Sequence, residues 1–333
     1  MEVLLVCLFA MFSAAVDDEA IPAERILASL EENERLYQNL EVRWHEEFKQ
    51  ETRPIGKGTV KNEQIDGRSI RQARWHLLEY GGSRTLWAAG AEPPKKIDNT
   101  SGFDGEVLRL VEHRGSYVAN ISDEDKYSYH MFSPHEVPLR HAMKRIPLST
   151  WLRGKDAVLS HPYGDPSEYA GGRETKVSYV GDEVISGLRC ARLLLVSTKP
   201  NGEKRQQESG HRDVWLAYER NFLPVKLVTY SHFYSKELPI EESSLMDFKE
   251  IKPGVWFPFA SKIVVYDEIS LLEDQEVKIL SERDFTVKSV DLNPGYPVEL
   301  FRNIFFPDGA AVYRVVAGEI VESYIQGKQP RVE

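Results

Sequence analysis

The sequence predicts a mainly β protein of the α+β kind. One large antiparallel sheet is expected to curl into an open, incomplete barrel, with helices covering its concave face. Three observations predict it. Residues 213–230, DVWLAYERNFLPVKLVTY, alternate apolar and amphipathic side chains on either side of a polar turn, the pattern of a hairpin. Similar runs continue from Thr175 almost to the end of the chain, joined by short turn signals that favour antiparallel neighbours. Only Ile21–Leu40 and Pro138–Arg153 read as helical, too little to cover so much apolar strand face unless the sheet curls on itself.

The elements follow in order. Val3–Val16 is an uncharged apolar run of 14 residues, short for a membrane span, and it ends in the small residues Ser13, Ala14 and Ala15. Residues 1–16 therefore read as a signal peptide cut near Ala15, although Met1 and Glu2 give it no positive start. Residues 17–333 then read as one domain, with a helical and loop insertion at about 122–175. Export leaves Cys190 as the one cysteine, a buried small side chain with no intrachain partner.

In Ile21–Leu40, the residues Ile26, Leu27, Leu30, Leu36, Tyr37 and Leu40 fall on one helical stripe, with glutamates largely opposite. An extended segment begins at Val42, Trp44 and Phe48. Gly81-Gly82-Ser83 reads as a turn between strands at Arg71–Tyr80 and Arg84–Ala89, and the stretch around EHRG as another between Val107–Val111 and Tyr117–Ile121. Asn221 suits a turn position with positive φ, and Pro224 belongs at a strand start or an edge. On the opening hairpin Leu223, Val225 and Leu227 are expected to face the concavity, and Trp215 and Tyr230 the less buried convex side.

Composition narrows the function classes. The chain of 333 residues is 41% hydrophobic and 28% charged, with a formal charge of −10, so no nucleic-acid partner is expected. His130, His135 and His141 invite a metal or hydrolase reading. Pro134 and Pro138 interrupt any helix that would bring them together, and their spacing matches no common ligand set, so they read as surface or loop residues. No G-x-S-x-G elbow, phosphate loop or calcium loop is present. No catalytic residue, metal or cofactor is expected. The aromatic residues Trp44, Phe48, Trp75, Trp87, Trp215, Trp256 and Phe257 are spread over several strands, and some of them could line an apolar cavity. Such a cavity is expected between the sheet and the 21–40 helix. Its first candidate lining is Trp44, Phe48, Trp75 and Leu77, and its second is Leu223, Val225 and Leu227.

Several short patterns, taken in order, carry a family resemblance. A helix leads into a long strand in ILASLEENERLYQNLEVRWHEEFKQ; FDGEVLRLVEHRGSYVANIS supplies Phe103, Asp104, Gly105 and Leu108; VWLAYERNFLPVKLVTY enters its second strand through Leu-Pro; and Phe305-Phe306-Pro307-Asp308-Gly309 with Val312 comes late. The chain resembles the LolA/LolB group of periplasmic lipoprotein carriers and the larger outer-membrane lipoprotein-sorting proteins. The resemblance implies a half-open β-barrel in the periplasm that takes a lipid or lipoprotein acyl chain as its partner without catalysis. Contact with an envelope protein or peripherally with a membrane is compatible with it. It also makes Arg74, in RQARW, the nearest counterpart of an arginine that holds the carriers' cavity closed, without the neighbouring proline. A sensor or scaffold like the RseB-type regulators is the alternative on the same fold, and a hydrolase using the histidines is the least favoured.

Overall fold

The computed structural model describes residues 23–51, 60–86, 94–113, 115–123, 133–135, 148–152, 174–199, 207–274 and 276–328. The expected signal peptide, His130, His141, Trp87 and most of the 122–175 insertion lie outside these residues.

Helix α1 (Ala23–Glu34) continues into a 3-10 turn at Arg35–Tyr37, and the strands begin at once with β1 (Leu40–Gln50). The helix is therefore shorter than its apolar stripe predicts: Leu40 belongs to β1 and Leu36 is exposed. Strands β2 (Val60–Gln72), β3 (Trp75–Leu86), β4 (Lys95–Phe103), β5 (Leu108–His113) and β6 (Tyr117–Ser122) follow. After the short helix α2 (Leu148–Leu152) come β7 (Glu174–Ile185), β8 (Leu188–Lys199), β9 (Gln207–Ala217) and β10 (Leu223–Ser231). Then β11 (Glu241–Lys252) and β12 (Val255–Tyr266) lead through helix α3 (Glu268–Glu273) to β13 (Ile279–Leu292). Helix α4 (Glu299–Arg302), β14 (Ala311–Val316) and β15 (Glu319–Ile325) complete the order.

Among the described residues, all fifteen strands join one sheet in the order β15-β14-β6-β5-β4-β3-β2-β1-β13-β12-β11-β10-β9-β8-β7. The sheet has two edges and does not close on itself, so the architecture is the open, mainly β one that the sequence predicts. Neighbours are antiparallel except β6 and β14, which run parallel because the chain crosses back over the sheet through α4.

Two turn readings differ from the structure. Gly81 and Gly82 do not form a turn. They lie inside β3, and the β2–β3 reversal falls at Ala73 and Arg74, with Ala73 at φ 53°. Gly82 is needed for close approach, since a Cβ there would stand 1.8 Å from the Gln64 carbonyl oxygen. The β5–β6 hairpin forms as expected. Asn221 sits in the left-handed region at φ 53°, and Pro224 stands at the start of β10.

Side-chain alternation divides the sheet into an α1 face and an α4 face. On the α1 face, Ile26, Leu27 and Leu30 pack with Leu148 and Leu152 of α2 against Leu193, Val214, Leu216 and Leu227. Further along the same face, Leu40, Val42 and Trp44 join Leu78, Phe257, Phe285 and Val287. On the opposite face Phe301 of α4 buries Ile70 and Leu77. The two helices that the sequence predicts thus share one face, as expected, and α4, which it did not predict, lies on the other. Trp215 is on the face away from α1, as expected, yet it is buried, because Glu183, Arg192 and Lys226 close over its ring.

Asn221 pins the seam between the two α1-face clusters. Its side-chain oxygen accepts from Trp256 N at 2.7 Å and Tyr37 Oη at 3.2 Å, and its amide nitrogen donates to Asn33 Oδ1 and Gly254 O. His135 bonds the Asn221 carbonyl through Nε2 at 3.0 Å and sets its ring edge-on to Tyr37. The surface or loop reading of this histidine is therefore corrected: His135 is fully buried and structural. Burial pushes its pKa down to about 4 against the effect of that hydrogen bond, so it is neutral at pH 7.

Candidate functional site

β1 reads LEVRWHEEFKQ, and alternation places Val42, Trp44, Glu46 and Phe48 on the α1 face. Glu46 is the anomaly, a carboxylate in an apolar row, and it is only 1% exposed. Charges so placed must be paired. Arg283 of β13 forms an ion pair with Glu46 and lays its guanidinium 4.9 Å from the centre of the Phe48 ring.

Strand register extends the arrangement. One row across the sheet runs Ser243, Ile263, Arg283, Phe48, Glu63 and Arg84. The next runs Leu245, Ser261, Phe285, Glu46 and Ile65. Glu63 is buried and bonded to Arg84 Nε at 2.6 Å. Phe48 is thus a half-buried ring with an ion pair on either side, Glu46–Arg283 and Glu63–Arg84. One row deeper, Trp44 lies over Gly67, where a Cβ would stand 2.2 Å from the indole. The site offers an aromatic floor, a partly open ring and a neutral set of charges. Among the described residues it has neither a nucleophile beside a base nor a group of three metal-ligating side chains.

The seven expected lining residues do not share one surface. Trp44 and Phe48 belong to this site, and Leu223 packs in the Trp44 cluster. Leu227 lies under α1 among aliphatic side chains. Val225 packs instead with Cys190, Trp215 and Val228. It is the extra residue of a bulge, because β9 pairs Leu216 with Pro224 and Trp215 with Lys226; a proline without an N–H interrupts the ladder there. Leu77 and Trp75 lie against Phe301 on the α4 face. An offset of one residue decides this, since Leu78 and not Leu77 joins Trp44.

Arg74 sits at the β2–β3 turn against Gly105, at the end of β2 opposite the Phe48 row. From Glu63 to that turn is about 35 Å of strand.

The Asp104–Gly105 element has a different role. Asp104 is buried and accepts from Glu106 N, Val107 N, Arg109 and Arg302, which ties the β4–β5 turn to α4. Burial pushes its carboxyl up, but the Val107 N–H, Arg302, the Glu106 N–H and Arg109 together bring it down to about 2. Sequence reasoning missed Arg283, Glu46, Glu63 and Ser261. The available signal was polarity at alternating positions, Glu46 in β1 and Arg283 in β13, on faces otherwise apolar.

No protein-family model and no curated protein matches the sequence. Among solved structures, a DUF1329 family protein from Desulfovibrio piger aligns at 10% identity and TM-score 0.42, over 85% of this chain and 98% of that one. An outer membrane lipoprotein-sorting domain from Vibrio parahaemolyticus aligns at 9% identity and TM-score 0.40, over 84% and 96%. A LolA superfamily protein from Nitrosomonas europaea aligns at 13% identity and TM-score 0.38, over 85% and 98%. Each of these three structures is matched over nearly its whole length.

Proposed function

We propose that the chain is a non-enzymatic periplasmic carrier or binder that takes acyl chains of lipids or lipoproteins against the α1 face around Phe48. The N-terminal apolar run serves export in this reading. Phe48 carries it: a large ring left half-buried beside a closed aromatic core, at the end of the face that α1 does not reach. Each methylene that moves from water into such a site gains about 0.8 kcal/mol, so a modest length of chain suffices for reversible binding. Trp44, Phe48 and Leu223 are the residues retained for contact, and Arg74 is too distant to touch the same ligand.

The test is titration with a fluorescent acyl probe. The wild-type protein is expected to bind it, Phe48→Ala to weaken binding about tenfold, and Leu77→Ala, on the other face, to leave affinity unchanged. Absence of probe binding in the wild type, or equal loss in both variants, would end the proposal.

A further inference from the structure

Among the described residues β15 is a sheet edge, with β14 on one side and no strand on the other. It reads EIVESYI, and every residue of it is exposed, Ile320 at 63% and Val321 at 57%. Open edges are commonly blunted by proline, lysine or other charge. β15 contains neither of the first two, and its Glu322 stands 3.9 Å from Arg314 of β14, which offsets that carboxylate. An apolar edge of this kind is a template for another strand.

Backbone hydrogen bonds fix where a strand would join. Gln326 spends both of its own on the β14 side: its N–H donates to Ala310 O and its C=O accepts from Gly309 N, each at 2.9 Å. Alternation then turns Tyr324 and Glu322 toward β14, and Ser323 and Ile325 toward the open edge. Val321 is the extra residue of a bulge and has no place in the β14 register. The side chains indicate what kind of strand. Two copies paired antiparallel about Ser323 set Ser323 on itself, Glu322 opposite Tyr324, and Val321 opposite Ile325. A phenol that can donate thus meets each carboxylate, and apolar meets apolar. Moving the two-fold to Glu322 would instead oppose two carboxylates, which repel.

We propose that β15 pairs antiparallel with β15 of a second copy of this chain, with the two-fold axis at Ser323. The Phe48 strand, β1, lies seven strands away across the sheet, so this pairing goes beyond the acyl-binding reading and does not depend on it. One short strand pair is a small interface, so the dimer is weak and forms as concentration rises.

Ser323→Cys tests the axis. Two Cα atoms opposite each other in a hydrogen-bonded antiparallel pair stand about 5.5 Å apart, a separation that a disulfide spans. At a concentration where the wild type sediments partly as dimer, mild oxidation is expected to cross-link Ser323→Cys at least about tenfold faster than Glu322→Cys, whose two copies lie on a diagonal. The wild type, whose Cys190 is buried, is the control. Ser323→Pro removes an N–H that faces the open edge, so it should keep wild-type thermal stability and sediment as a monomer. Wild type that stays monomeric up to about 1 mM overturns the proposal and leaves the edge to a strand of another protein. Cross-linking of Glu322→Cys as fast as Ser323→Cys overturns the register. A dimer that survives in Ser323→Pro overturns β15 as the interface.

Discussion

The α1 face holds two regions built on opposite plans. Under the helix, Ile26, Leu27, Leu30, Leu193, Val214, Leu216 and Leu227 make an aliphatic plug. Toward β1 and β13, aromatic rings alternate with ion pairs, and Ser261 Oγ and Arg283 Nε have no hydrogen-bond partner among the described residues. Both regions contain apolar side chains that alternate along strands, and alternation is the common signal. What separates them, among the described residues, is whether a helix lies on top. An amphipathic helix needs an apolar floor, and a floor without one is left to polar pairs and half-buried rings.

Truncation should sharpen the contrast most. Leu30→Ala and Leu227→Ala remove packed side chains from a region that cannot collapse freely, so each should cost about 2–5 kcal/mol in urea unfolding. Phe48→Ala should cost less than either, because its ring is already half in water. A loss at Phe48 equal to that at Leu227 would mean that the ring is core, and the two plans would merge into one.

The seam between the regions should respond to pH. His135 is neutral in the folded protein, with its pKa near 4, whereas an unfolded histidine titrates near 6.5. The unfolded chain therefore binds the extra proton between these values, and stability must fall as pH drops through that window. The full effect is about 3 kcal/mol, present above pH 6.5 and lost by pH 4. His135→Phe should flatten this part of the profile. If the wild type and His135→Phe lose stability in parallel from pH 6.5 to 4, the seam is not closed by a neutral imidazole.

The two plans were unequally legible in the sequence. Period-two alternation announced the sheet, and a stripe of Ile26, Leu27 and Leu30 announced the helix. Glu46 and Arg283 were readable as polar intruders, but their pairing depends on which strands are neighbours. β1 lies beside β13, which is more than 200 residues away, and no local pattern encodes that. The errors at Leu77 and Val225 are errors of face. A turn placed at Gly81–Gly82 instead of Ala73–Arg74, and a bulge at Pro224, each move side chains to the other surface. His130 and His141 lie outside the described residues, whereas His135 shows how little a loop-like sequence says about burial.

The smallest expected effect concerns the other side of the sheet. Behind the Trp44 region, α4 covers Ile70 and Leu77 with few residues of its own, and the buried carboxylate of Asp104 holds it there through Arg302. The carboxyl titrates near 2 in the folded protein and near 3.8 in the unfolded chain. A depressed pKa stabilises the fold above the unfolded value, and that contribution is lost as pH falls from about 4 toward 2. At neutral pH it amounts to about 2 kcal/mol. Asp104→Asn should lower stability by about that much at pH 7, and the difference from wild type should vanish near pH 2. Hydrogen exchange should show where the loss falls: faster at Leu300, Phe301 and Arg302, with α1 unchanged. Even loosening of both faces would mean that α4 and the α1 face unfold as one unit, and that ligand contact on one surface is felt on the other.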